Sequence, residues 1–142
     1  MIPAPLLEWA VWANLDRYQS LELILLKGHL LIEVVLLTYL DTHINPPLVE
    51  TREMSFYRKM KEVEKHAASG SSQRLALLYV ADLNTMRNKL AHEPFVNSIS
   101  SQMVCWAENV LANFQCTKHQ KYTPRTKTTP ALAALAKTLY ES

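Results

Sequence analysis

Only two of the 142 residues are glycine, Gly28 and Gly70. A Walker loop, a dinucleotide-binding fingerprint or any other glycine-rich phosphate cradle needs several glycines in one short loop. Those classes are excluded. An all-β sandwich needs a turn signal every ~8–12 residues, and the glycine count argues against one. Apolar residues make up 49% of the chain and charged residues 20%. That suits one folded domain spanning residues 1–142, with a core large enough to need neither disulfides nor a metal.

Nearly every segment reads as helix. Pro3 and Pro5 suit a helix start, and Leu6, Trp9, Ala10 and Ala13 follow at helical spacing. A long apolar helix is expected from Asp16 or Ser20 to about Thr42. Gly28 sits in its middle at a cost of ~1 kcal/mol relative to alanine, for which a close crossing by another helix would compensate. Asn45-Pro46-Pro47 ends it. Ser55 is a candidate N-cap for a third helix, with Phe56, Met60, Val63 and Ala67 inward. Arg58, Lys59, Lys61, Glu62, Glu64 and Lys65 are expected to face water. Ser69-Gly70-Ser71-Ser72 is a linker. A fourth helix carries Leu75, Leu78, Met86 and Leu90 on one side, and Pro94 stops it near His92 or Glu93. A fifth carries Met103, Ala107, Val110, Leu111 and Phe114. A basic irregular loop, 117–130, precedes a short last helix, 131–141, with Leu132, Leu135, Ala136 and Leu139. The expected architecture is all-α: an up-and-down bundle of four to five helices plus a short C-terminal helix.

Leu21–Leu40 is the most apolar window, but Glu22, Lys27, His29 and Glu33 make it a poor bilayer span. A buried helix in a chain that meets no membrane is expected. Cys105 and Cys116 are eleven residues apart, ~16 Å along a helix, too far for a disulfide. Core packing is expected of both. Unpaired thiols and a start without a basic n-region point to the cytoplasm.

The segment Asn84-Thr-Met-Arg87-Asn88-Lys89-Leu90-Ala91-His92-Glu93-Pro94 carries the best candidate chemistry. Asn88 and His92 share a helix face. Arg87 is ~140° from His92 on an ideal helix and long enough to swing toward it. His92 sits in the last turn, where the negative end of the helix dipole favours its protonated form. A guanidinium, a carboxamide and an imidazole suit phosphodiester cleavage: His moves protons near neutral pH and Arg offsets phosphoryl charge. The dipole alone also favours Arg, Lys and His at a helix C-terminus, so spacing leaves both readings open.

Arg87-Asn-Lys-Leu-Ala-His92 resembles the R-x4-6-H motif of HEPN domains, including the polar residue after the Arg. Leu25-Leu-Lys-Gly-His-Leu-Leu-Ile-Glu33 looks like their long second helix. Ser55-Phe-Tyr-Arg-Lys-Met-Lys61 looks like the start of the helix preceding the motif. The resemblance covers about Ser20 to Pro94, within a motif-bearing core of about 16–116. It implies a helical bundle that forms a homodimer with the motif helices near its axis. It also implies a metal-independent endoribonuclease of a toxin–antitoxin, phage-defence or RNA-processing system, with no cofactor. His92 would be the general acid/base, Arg87 the transition-state stabiliser and Asn88 an orienting group, giving a 2′,3′-cyclic phosphate. A partner antitoxin protein, nucleotidyltransferase-type or other, would accompany a toxin. The tyrosine that such antitoxins modify, two positions after the motif His, is replaced here by Pro94, with Phe95 next. The alternative is a non-catalytic HEPN-like module acting through protein partners.

Other polar residues fit around this reading. The segment from Asn109 to Tyr140 has no acid but holds Lys118, Lys121, Arg125, Lys127 and Lys137; the chain before it has ten basic and twelve acidic residues. Lys89, Lys118, Lys121, Arg125 and Lys127 are candidate contacts for the RNA backbone, or else a solvated surface. His29 and Glu33, at i and i+4, could be two metal ligands, but no third is near, and catalytic zinc wants three. Otherwise they hydrogen-bond each other or line a groove beside the motif helix. His43, His66 and His119 are expected at solvated segment ends. Trp9, Trp12 and Trp106 could stack on bases or serve core and dimer contacts.

Overall fold

The computed structural model describes residues 3–16, 20–43, 54–93, 99–114 and 124–140. Among them are six helices and no strand: α1 (Ala4–Asp16), α2 (Leu21–His43), α3 (Phe56–His66), α4 (Ser72–His92), α5 (Ile99–Asn113) and α6 (Pro124–Tyr140). The chain is an all-α helical bundle.

The last helix differs most from expectation. It is neither short nor preceded by a loop reaching residue 130. It starts at Pro124, runs 17 residues and contains Pro130. Thr128 and Thr129 are fully buried, as are Ala131–Ala136 and Leu139. Alanines at 131, 133, 134 and 136 leave α6 slim enough to be surrounded, and it packs against α1, α2, α4 and α5. Its polar start, read as a basic loop, hid that role.

At Gly28, α2 meets α6 in close contact. An added methyl group there would stand 2.5 Å from Leu132 Cδ1. The expected close crossing is present, and its partner is the C-terminal helix. Nine α2 residues, Ile24 and Ile32 among them, are buried. By length and composition alone α2 could cross a membrane, but half of its most apolar window is inside the bundle.

α1 turns its other face inward. Leu6, Trp9, Ala10 and Ala13 are exposed, while Glu8, Val11, Trp12 and Leu15 are buried. Glu8 lies 3.7 Å from Lys137 on α6. That ion pair and the packing of Trp12 and Leu15 decide the orientation. The apolar spacing of the outer face carried no less signal.

α3 starts as expected: the Ser55 hydroxyl accepts the Arg58 amide at 3.2 Å, and Phe56, Met60, Val63 and Ala67 are buried. Lys59 does not face water; it is 5% exposed. Ser71 caps α4 in the same way, accepting from the Arg74 amide. The turn before it uses Gly70 at φ +74°, a left-handed conformation that glycine adopts without cost. The buried face of α4 runs through Gln73, Ala76, Leu77, Val80, Leu83 and Met86, leaving Leu75 and Leu78 exposed. α5 buries Met103, Ala107, Val110 and Phe114 as expected, with Leu111 half-buried. Trp106 is buried, its indole donating to the Tyr79 carbonyl at 2.9 Å. Cys105 is exposed rather than packed in the core. Pro46, Pro47, Cys116 and His119 lie outside the described residues.

Candidate active site

α2, the first turn of α3 and the C-terminal half of α4 enclose a cleft of about 330 Å³. It is lined by His29, Glu33, Phe56, Tyr57, Asn84, Arg87 and Asn88, together with Leu30 and Ser55. On α4, Asn84, Arg87 and Asn88 stand at i, i+3 and i+4, one face of a helix. On α2, His29 and Glu33 are again one turn apart. Four of the sequence candidates, Arg87, Asn88, His29 and Glu33, therefore meet in one place.

The histidine and the glutamate do not bond each other. His29 Nε2 lies 3.0 Å from Asn84 Oδ1, and its ring stacks on Phe56 with centroids 3.9 Å apart. Burial lowers the imidazole pKa below the ordinary 6.5. The Asn84 bond works against that shift, the Arg87 charge adds to it, and Glu33 opposes it. The ring is therefore neutral at pH 7. In that state Nε2–H donates to Asn84 and fixes the amide with its oxygen toward α2.

Glu33 pairs with Lys59 instead, at 3.4 Å. The lysine side chain is 6% exposed and the glutamate 30%. A buried ammonium needs a counter-charge, and Glu33 supplies it. The same contact offsets the only carboxylate among the described residues that line the cleft, leaving Arg87 as the uncompensated charge among them. Arg87 Nη1 donates to Asn88 Oδ1 at 3.3 Å.

His92 is not in the cleft. It is exposed at the end of α4, one turn beyond Asn88, and the helix closes there with the Glu93 amide donating to the Lys89 carbonyl at 2.9 Å. Within one chain, the arginine and the histidine of the motif do not converge as the long side chain of Arg87 suggested. Lys89, half-buried, lies ~140° round the helix from Asn84 and does not line the cleft. Arg125 and Lys127 are in the first two turns of α6, and Lys118 and Lys121 lie outside the described residues. No three His, Cys, Asp or Glu side chains gather at a metal-binding spacing among the described residues.

Asn84, Phe56, Tyr57 and Lys59 were not singled out from sequence as site residues. For Asn84 the signal was present: it precedes Arg87 by three and Asn88 by four. For Lys59 it was the spacing from Phe56, three residues on, which puts both on the inner face of α3.

Among known proteins, no family model, curated protein or solved structure matches the chain.

Proposed function

We propose that the chain is a metal-independent endoribonuclease of HEPN type, acting as a homodimer in the cytoplasm, of the kind used in toxin–antitoxin or phage-defence systems. The resemblance of Arg87–His92 to the family motif is the starting point. The observation that carries the reading is the convergence of Arg87 and Asn88 with His29 and Asn84 in one cleft whose only carboxylate among the described residues is offset by Lys59. Such a cleft accepts a phosphodiester without repulsion, and a guanidinium there stabilises the charge that builds on phosphorus oxygens.

In the reaction, an imidazole takes the proton of a ribose 2′-hydroxyl. The oxygen attacks the adjacent phosphorus, the bond to the 5′ oxygen breaks, and that oxygen takes a proton from an imidazolium. The products end in a 2′,3′-cyclic phosphate and a 5′-hydroxyl. His92 is the proton-transfer group. Because it stands outside the Arg87 cleft of its own chain, the site is composite: His92 of one copy serves the cleft of the other. Exposed apolar residues on α2, Leu23, Leu26, Leu30 and Val34, follow one helical face up to the cleft and suit pairing of two copies there.

The same two facts, an exposed His92 and an apolar α2 face, also favour a second reading: a non-catalytic HEPN-like module that binds a protein partner such as an antitoxin. RNA cleavage in EDTA separates them. The parent should cut and leave 2′,3′-cyclic phosphates, and His92→Ala should not. No cleavage of several RNA classes by folded, dimeric protein would replace the nuclease with the binding module.

A further inference from the structure

The cleft has a feature that phosphate chemistry does not require. Two amide groups line it, and the oxygen of each is already engaged: Asn84 Oδ1 with His29 and Asn88 Oδ1 with Arg87. An arginine can only donate, so Asn88 must turn its oxygen toward Arg87. Both NH2 groups are left without a hydrogen-bond partner among the described residues. Phosphate binding is served by Arg87; two amide donors one helical turn apart on the same cleft wall suit a flat edge carrying two acceptors. Beside them, Tyr57 lines the same cleft, 55% exposed, with the Lys61 ammonium 5.4 Å from its ring centre. An exposed aromatic face next to a long-stemmed cation is how proteins hold an unpaired base and its backbone. The volume, about 330 Å³, is at the small end for a ligand pocket and suits a single nucleotide.

We propose that the cleft is a nucleobase subsite for single-stranded RNA. Asn84 and Asn88 donate to the adjacent acceptors of a guanine, O6 and N7, while Tyr57 stacks on the ring and Arg87 holds the neighbouring phosphate. Adenine is disfavoured, because it presents an N6 donor where guanine presents O6. Sequence-specific proteins read unpaired RNA bases along these edges. The inference rests on the nuclease reading and adds a base preference to it.

The test uses full-length His92→Ala protein, so that bound RNA is not consumed. Binding of fluorescent hexa-adenylate is compared with that of the same oligomer carrying one central guanosine, or one central 7-deazaguanosine, which lacks the N7 acceptor. The guanosine oligomer should bind about tenfold tighter than hexa-adenylate, and the 7-deaza substitution should remove most of that advantage. Adding Asn88→Asp, which replaces donors by an acceptor, should abolish the preference. Adding Tyr57→Ala should weaken all three oligomers about tenfold alike. Both side chains are exposed, so the variants should fold, as circular dichroism can verify. Equal binding of the three oligomers, or a preference untouched by Asn88→Asp, overturns the subsite. If the parent nevertheless cleaves RNA, the nuclease reading stands without it. If the parent neither binds nor cleaves RNA, the nuclease reading has failed and the subsite falls with it.

Discussion

Gly28 and Leu132 touch where α2 crosses α6, so closely that a methyl group on Gly28 would stand 2.5 Å from Leu132 Cδ1, 3.1 Å from Cδ2 and 3.3 Å from Cγ. Leu132 is fully buried, so its side chain cannot swing into solvent to make room. Gly28→Ala gains ~1 kcal/mol of helix propensity and loses ~1–3 kcal/mol to overpacking. The expected outcome is net destabilisation, read as a lower urea midpoint at unchanged slope. In a Leu132→Ala background the sign should reverse, because the obstruction is gone and the propensity gain remains. The same loss in both backgrounds would mean that the two residues are not coupled.

That crossing also marks the limit of what the sequence made legible. A mid-helix glycine announced that something passes close by, and helical spacing announced most of the helices. Nothing local announced that the partner was α6, because its first turns, Pro124 to Pro130, are polar and carry a proline where apolar periodicity is expected. Thr128 and Thr129 are nevertheless buried, because α6 as a whole packs against α1, α2 and α5, which overrides composition. α1 teaches the same point: both of its faces are apolar enough to be buried, and only the partner surface, with Lys137 meeting Glu8, selects one. At the cleft, the motif set Arg87 beside Asn88 and periodicity set His29 with Glu33, each pair within one helix. It could not pair His29 with Asn84 or Glu33 with Lys59, which are contacts between helices.

Lys59 and Glu33 should respond unequally to mutation. The ammonium is nearly enclosed, whereas the carboxylate reaches the cleft. Glu33→Gln leaves a buried cation without a counter-charge, and removing one partner of a buried pair costs ~3–5 kcal/mol in fully enclosed cases. With Glu33 30% exposed, about 2 kcal/mol is expected. Lys59→Met leaves a carboxylate that can be hydrated and replaces the alkyl stem in kind, so its cost should be under about 1 kcal/mol. Chemical denaturation of the two variants measures the difference. Equal losses would show that the pair is solvated.

His29 makes stability depend on pH in a known direction. Burial holds its folded pKa below the unfolded 6.5, so below that value the unfolded chain binds more protons than the folded one. Its contribution is complete above pH 6.5 and declines as pH falls through 6.5 toward the lower folded pKa, below which it is constant. His29→Gln keeps an N–H donor for Asn84 and removes the titration. The stability advantage of the parent over this variant should therefore shrink between pH 7 and 5. Denaturation curves at several pH values test this; an advantage that grows on acidification would mean that the folded protein prefers the imidazolium.

The proposed composite site gives a prediction that single variants cannot. Arg87→Ala and His92→Ala should each lower RNA cleavage at least ~100-fold while the fold persists. Arg87 bonds only its neighbour Asn88 among the described residues, and His92 is exposed. In a twofold dimer where each cleft takes Arg87 from one copy and His92 from the other, a mixed dimer of the two variants has one intact site and one doubly defective site. Equal mixing and subunit exchange makes half of the dimers mixed, so activity should return to about a quarter of the parent value. If Arg87 and His92 acted within one chain, every mixed dimer would stay inactive. Recovery is the expected outcome of the proposed composite site, because His92 stands one turn outside the cleft that holds Arg87 in its own chain.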